Sequence, residues 1–409
     1  MTRVYLDYAA ATPLDPQVWD IYKKISLESW ANPSGIHQDS QKAKGEIEQA
    51  RLKISKILNC KAKELFFTGS ATEANNIAIQ GAIFANKQNG KPKSHLIVSP
   101  IEHSSIDQTV KLMQSLDFCD YSVLKIDGGG LIGLESIKSN VSPETDLISI
   151  IWVNNEIGTI QPIKEISKLL SEINFERKKN GLNNILFHVD ASQAFLYNEI
   201  DLEELGVDLL TLSSHKIYAP RGAALLYVKE GVKLSPIQGG GAQESGLRSG
   251  TQNTAAIVAF SEAIAIFHKD RDQNINKIKT IQDYTIQKLF EKNKNRKSNL
   301  YNSIIINGIT GNHRSVNNIN FSLKNIDHQT LHTALDLAGF SLSGGSSCNS
   351  GSLEISSVIQ SIRSAQNLFI PDVEATIRLS LGKENTTDDI DLFFQKLEQI
   401  VAGLKASAI

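Results

Sequence analysis

The feature that most constrains this chain is an alternation of short apolar runs with longer stretches of helical period. It extends from near the N-terminus to about Gln252. The runs read "ELFFTG", "SHLIVSP", "LISIIWVN", "ILFHVD", "LLTLSS" and "AALLYV". Between them lie stretches such as "SATEANNIAIQGAIFA" and "PIKEISKLLSEINFERKK", and before them a stretch with Ile47, Ile54, Ile57 and Leu58 at helical spacing. Runs that are apolar at every position, rather than at every second one, predict strands buried on both faces. The expected architecture is therefore α/β, a largely parallel sheet with helices on either side. The pair in "LLTLSSHKIYAPRGAALLYV" is too close for a helical crossover, which predicts one antiparallel strand.

The pattern changes after Gln252. Two long helical stretches, Asn253–Phe267 and Arg271–Lys292, lead into the basic run "EKNKNRKSN", a solvated linker by composition. Beyond it come "SIIIN", "SVNNINFSL", a helix near His328–Ala338, a polar loop, "ATIRLSLG", and a final helix with Ile390, Phe393, Phe394, Leu397, Ile400, Val401 and Leu404 on one stripe. At 409 residues the chain exceeds one ordinary core, and this second part predicts a smaller α+β domain.

Composition removes several function classes. A net charge of −2 offers no basic footprint for nucleic acid and no polybasic membrane patch. Three widely spaced cysteines, Cys60, Cys119 and Cys348, form neither a disulfide framework nor a metal-ligand pattern, so no metal site is expected and a reducing cytoplasm is. "MTRVYLDYAAATP" has no apolar core of an export signal. The most apolar window, Thr254–Phe267, is too short to span a bilayer.

Open parallel sheets bind ligands beyond the C-terminal ends of their strands. Here those ends present Asp190, Asn154 and Asn155, Ser213–Ser214 running into His215–Lys216, and Glu102–His103. A lysine and an aspartate at one such mouth point to pyridoxal phosphate: the amine bonds the aldehyde, and the carboxylate pairs with the protonated ring nitrogen. The helix beginning in "GSATEANN" offers Ala71 and Thr72 at its positive end for a phosphate. Each residue alone has an ordinary role as a cap, turn or surface group. Their coincidence at neighbouring strand ends is what points to a site.

"YLDYAAATP", "ANPSGIH", "FTGSATEANN", "WVNNEIGTIQP", "FHVDASQ", "SSHKIYAPRG" and "SGLRSGTQN", in that order, resemble the NifS/IscS-like cysteine desulfurases, pyridoxal-phosphate enzymes of the class V aminotransferase superfamily with fold type I. The resemblance runs from about Tyr5 to Thr387. It implies a large domain over residues 14–262 with a mostly parallel seven-stranded sheet, and a small domain from residues 1–13 and 263–409. Lys216 would hold the cofactor covalently, Asp190 would pair with its ring nitrogen, and His103 would stack on the ring and shuttle protons. Gln193 and Asn155 would bond its phenolic oxygen. Thr72, the backbone near Ala71, Ser213 and His215 would hold the phosphate, joined by Thr251 of a partner subunit, so the resemblance implies a homodimer. Arg378, helped by Asn32, would grip the substrate carboxylate, a task suited to a planar guanidinium.

The reaction turns on Cys348 in "LSGGSSCNSGS", a loop placed at about residues 341–353 and lying thirty residues before Arg378. The resemblance implies an L-cysteine desulfurase that releases L-alanine and leaves a persulfide on Cys348. The sulfur would pass to an acceptor such as an iron–sulfur scaffold or a tRNA-thiolation protein. The Gly, Ser and Asn content predicts one of the most mobile segments of the chain. Two other readings remain: a related lyase or aminotransferase that does not need Cys348, and a silent scaffold that kept the fold. The chain departs from the family at Gly35, Ala242 and Ser245, and after its last helix it stops at "GLKASAI", which weakens the expectation of docking to a scaffold. Cys60 and Cys119 lie in no motif that needs a thiol and are expected to be structural.

Overall fold

A computed structural model describes residues 3–294, 304–345, 356–368 and 374–406. In chain order the elements are β1 (Val4–Tyr5), α1 (Pro16–Glu28), α2 (Gln38–Ile57), β2 (Leu65–Thr68), α3 (Ala71–Gln88), β3 (Ser94–Val98), α4 (Ser104–Ser115), β4 (Cys119–Val123), α5 (Leu134–Asn140), β5 (Thr145–Ile151), α6 (Ile163–Lys179), β6 (Leu186–Asp190), α7 (Leu202–Leu205), β7 (Leu209–Ser213) and β8 (Ala224–Val228). They are followed by α8 (Thr254–Lys269), α9 (Arg271–Lys294), β9 (Ile304–Ile306), β10 (Asn318–Lys324), α10 (His328–Leu337), β11 (Phe340–Ser341), α11 (Ser357–Ala365), β12 (Glu374–Ser380) and α12 (Thr387–Ala406).

The central sheet has seven strands in the order β2-β8-β7-β6-β5-β3-β4. Every pairing is parallel except those made by β8, the strand the short "HKIYAPRG" connection requires to turn back. β5, β7 and β8 are buried at every position, as their unbroken apolar runs demand. α1, α2, α6 and α8 cover one face of the sheet, and α3 and α4 cover the other. α1, absent from the expectations above, begins where Asp15 accepts the Gln17 N–H at 2.8 Å and Pro16 occupies the first turn.

The second core is built on the antiparallel sheet β12-β10-β9 with α9, α10 and α12. The apolar stripe of α12, Ile390, Phe393, Phe394, Leu397 and Val401, is buried in it. Val4 and Leu6 join this core, while Phe267 of α8 still belongs to the large one. The N-terminal strand thus crosses from the small core to the large: β1 pairs with β11 in parallel, and Asp7 bridges Ser380 at the end of β12. A smaller cluster places Val358, Ile359 and Ile362 of α11 on Ile101, Ile151 and Ile157 at the strand ends. Among the described residues no helix is long and apolar enough to cross a membrane.

The two departures in "GGAQESG" fall on strained backbone. Ala242 and Ser245 both have φ of +56°, and Glu244 between them has +47°. The turn is held in this shape by the buried Glu244 carboxylate, which takes Arg51 in a fork at 2.8 and 3.0 Å and the Phe67 N–H at 2.9 Å. A glycine relieves the clash of Cβ with the carbonyl that such a φ imposes. Ala242→Gly is therefore expected to stabilise the chain by about 1 kcal/mol in denaturant titration. An unchanged or lowered midpoint would contradict that strain.

Candidate active site

The ends of β7, β6, β5 and β3 lie side by side, with Asp190 level with Ile151 on one flank and Thr211 on the other. Beyond β7 the chain makes a single turn, Ser214–Lys216, that delivers Lys216 to the sheet's mouth. Its Nζ donates to the carbonyls of Ala9 at 2.6 Å and Ala10 at 2.7 Å. Gln193, three residues past Asp190, donates its Nε2 to the same Ala9 carbonyl at 2.8 Å. These two carbonyls belong to the turn Asp7–Ala11, closed by Ala10 N donating to Asp7 O at 2.9 Å and clasped by Tyr5 Oη on the carbonyls of Asp7 and Ala11. Thr12 locks the turn to the lysine segment by donating both its N–H and its hydroxyl to His215 O, each at 3.0 Å.

The same turn holds Arg378. Asp7 Oδ1 accepts Nη2 at 2.7 Å, Asn155 O accepts Nη1 at 3.0 Å, and the guanidinium is 1% exposed. Ser380, one strand repeat further along β12, receives the Ala9 N–H on its hydroxyl at 2.9 Å. Lys216 and Arg378, 162 positions apart in the numbering, are thus both fastened to one five-residue turn.

Asp190 is buried, and its carboxylate accepts Asn75 Nδ2 and Ser192 N, each at 2.9 Å. Asn75 also donates to Ser105 Oγ at 2.8 Å, and Ser105 in turn meets His103 Nδ1 through its hydroxyl at 2.8 Å and its N–H at 3.1 Å. Because Nδ1 accepts a backbone N–H at the start of α4, the neutral ring carries its proton on Nε2. Burial lowers the His103 pKa, with the Lys216 charge acting in the same sense and Asp190 opposing. His215 is pushed down to about 4, first by burial and then by Lys216 and Arg221, and its Nδ1 lies 3.0 Å from Ser213 Oγ. Both rings are neutral at physiological pH.

Ala71 and Thr72 open α3, where Ser70 Oγ accepts the Glu73 N–H and leaves the first two N–H groups without a partner inside the helix. Thr72 and Thr251 are both exposed. Among the described residues no hydrogen bond ties the Thr251 side chain to this group. Asn32 is also exposed, and its Oδ1 accepts Ser34 N at 3.0 Å within its own turn rather than meeting Arg378. Cys348 lies outside the described residues, and so does the expectation of a mobile loop around it. The ends of that stretch are described. Ser343 O accepts the Arg378 N–H at 2.6 Å, and Ser356 Oγ donates to Glu156 Oε2 at 2.5 Å. Gly344 is glycine because of close approach: a Cβ there would lie 2.0 Å from His328 Cε1 and 2.8 Å from the Thr376 carbonyl. A cleft of about 1110 Å³ opens between the two cores here, with His103, Asn155 and Glu156 on one wall and His328, His332 and Ser343 on the other.

The chain matches the family model described as Aminotransferase class-V over residues 4–393. It is 38% identical over 403 residues to "Cysteine desulfurase IscS" of Dictyoglomus turgidum, covering 98% of this chain and 95% of that one. This chain belongs to the cysteine desulfurases of the class-V aminotransferase family. A solved "NIFS-LIKE PROTEIN" superposes with a TM-score of 0.84 at 30% identity, covering 98% of this chain and all of the other. "SspA in complex with cysteine" does so with a TM-score of 0.73 at 31% identity, over 94% of this chain and 100% of that one. The family depends on pyridoxal phosphate, and the donor set fits that group: a buried carboxylate with both oxygens bonded, an amine on two carbonyls, neutral imidazoles and a helix N-terminus.

Sequence reasoning missed Asn75, Asp7 and Glu156, although all three stand inside quoted motifs. The available signal was Asn75 itself, a polar residue on the buried face of α3 beside Ala74 and Ala78. Asn75→Ala leaves Asp190 and Ser105 each one donor short. It is expected to cost about 1–3 kcal/mol in denaturant titration and to reduce cysteine turnover at least about tenfold. Activity and stability close to those of the parent chain would show that the Asn75 link does not matter.

Proposed function

We propose that this desulfurase binds pyridoxal phosphate at Lys216 and Asp190, takes L-cysteine by its carboxylate at Arg378, and moves the substrate sulfur to Cys348 as a persulfide, releasing L-alanine. The observation that carries this reading is the turn Asp7–Ala11, which fastens the amine and the guanidinium to one rigid piece of backbone beside Asp190. An amino acid held by its carboxylate at Arg378 would thus be bound by the same piece of backbone that holds the lysine.

When bound, pyridoxal phosphate supplies an electron sink for the substrate's α-carbon. Asp190 would sustain the charge on its ring nitrogen, and Asn75 and Ser192 hold that carboxylate in place. Gln193 and Asn155 would bond its phenolic oxygen. Ala71, Thr72, Ser213 and His215 would hold its phosphate, with Thr251 reaching across from a second copy in a homodimer. Lys216 Nζ, after leaving the Ala9 and Ala10 carbonyls, moves the α-proton. His103, with Nδ1 occupied by the Ser105 N–H, holds its proton at Nε2 and would be available to shuttle protons. Asn32 would assist Arg378 after a change in its own turn. The Cys348 thiolate attacks the substrate sulfur, forming the S–S bond as the C–S bond breaks, and the carbon left behind is protonated to alanine. The persulfide then serves an acceptor protein, an iron–sulfur scaffold or a tRNA-thiolation enzyme, in the cytoplasm.

Mass spectrometry after incubation with L-cysteine is expected to show one added sulfur on the peptide containing Cys348, and Cys348→Ser is expected to lower alanine formation at least about a hundredfold while cofactor absorption persists. Undiminished alanine and sulfide release by the Ser variant in the presence of dithiothreitol would overturn the persulfide route.

A further inference from the structure

Glu102 precedes His103, yet the reaction described above has no use for it. Its side chain is half-buried at the strand ends and lines the cleft, with its Oε2 atom shielded from solvent. β3 stops pairing with β5 at Val98 and Ser149, so the N–H of Ile151 has no strand left to bond. Glu102 Oε1 takes the strand's place, accepting Ile151 N at 2.9 Å and Ser99 Oγ at 2.5 Å. Ile151 stands directly across from Asp190 in the neighbouring register, so the two carboxyl groups flank the end of β5 and Asp190 acts on Glu102 through its charge. Oε2, in contrast, is buried and has no hydrogen-bond partner among the described residues, and no lysine or arginine is bonded to either oxygen.

That asymmetry identifies the protonation state. A carboxylate spreads its charge over both oxygens and needs donors at each, whereas a carboxylic acid has one accepting carbonyl oxygen and one hydroxyl. Burying an unpaired charge costs far more than burying a hydroxyl. We propose that Glu102 works as a neutral carboxylic acid, a positioning residue that ties the segment carrying His103 to the end of β5 without setting a second negative charge beside Asp190. Burial pushes its pKa up to about 8, against the donors of the Ser99 hydroxyl, the Ile151 N–H and the Ser99 N–H, and Asp190 adds to the rise. The titratable group that acts on it through its charge is Asp190 on β6; His103, the next residue in the chain, is itself kept neutral by burial. Neighbouring carboxyls held in opposite protonation states are a recurrent device for keeping one charge where it is needed.

The inference rests on the reading of Asp190 and His103 as cofactor residues only for its effect on turnover, and its test includes readouts independent of turnover. The holoenzyme is compared with Glu102→Gln and Glu102→Ala. The wild type is expected to show a protonated-carboxyl infrared band at pH 7 that titrates near pH 8 and is missing from Glu102→Gln. A carboxyl whose folded pKa lies above its unfolded one contributes stability at low pH that is lost as pH rises toward the folded pKa. The melting temperature of Glu102→Gln is therefore expected to rise relative to the wild type between about pH 5 and pH 8, then level off. Glu102→Gln keeps both hydrogen bonds at Oε1 and should turn over L-cysteine within about threefold of the wild type, whereas Glu102→Ala should fall more than about tenfold. The wild-type alkaline limb near pH 8 should move upward in Glu102→Gln. No protonated band at pH 7, a pH-independent difference in melting temperature, or a Gln variant as impaired as the Ala variant would overturn the proposal. Absence of cysteine turnover in the wild type would instead count against the functional reading, leaving the infrared and melting measurements to decide the state of Glu102.

Discussion

Everything at the mouth of the sheet depends on the hydrogen bonds of the turn Asp7–Ala11. Its carbonyls at Ala9 and Ala10 hold the Lys216 amine, its one carboxylate holds Arg378, and its Ala9 N–H reaches Ser380 on the same strand as Arg378. Three alanines in succession let the backbone approach both cores closely, and Ala9 is itself buried. Because β1 is rooted in the small core and Thr12 is bonded to the segment of Lys216, the turn is also a strap between the two cores. An ion pair as deeply buried as Arg378 with Asp7 gains little stability over an apolar pair. What it provides is the position of a guanidinium relative to an amine.

The electrostatic character of the site follows from burial. His103, His188, His215, His328 and His332 are all shifted toward the neutral form, in each case first by desolvation. His188 lies beneath the site between Ser149 and Thr211 hydroxyls, two positions before Asp190. His103 and His188, within reach of Asp190, and His215, beside Lys216, leave the balance of charge to Asp190, Lys216 and Arg378. They also supply N–H donors without adding positive charge near the lysine.

Much of this was legible in the sequence, for physical reasons. Apolar runs bounded by polar residues mark buried strands, strand ends in a parallel sheet mark the ligand side, and Asp190, His103, Ser213 and Lys216 stand at those ends by position alone. The smaller domain, with its antiparallel β10 and β12 and the buried stripe of α12, could also be read from periodicity. What could not be read was any pairing set by long-range contact. Asp7 with Arg378, Glu156 with Ser356, and Glu102 with Ile151 each join segments far apart in sequence, and no local pattern signals them. The glycine content of the Cys348 loop predicts freedom, whereas at Gly344 the structure gives a steric reason: a Cβ there would meet the His328 ring and the Thr376 carbonyl. Asn32 and Thr251, placed by resemblance, are exposed in the single chain, and among the described residues neither side chain joins the hydrogen bonds that organise the site.

The central claim is that Lys216, held by the Asp7–Ala11 turn, is the residue that bonds the cofactor. The most direct measurement is borohydride reduction of the purified enzyme supplied with pyridoxal phosphate, followed by proteolysis and mass mapping. The account predicts that the reduced cofactor is attached to the peptide containing Lys216 and to no other, and that Lys216→Ala carries none. Attachment at a different lysine, or an unmodified Lys216 in an enzyme that still shows cofactor absorption, would contradict it.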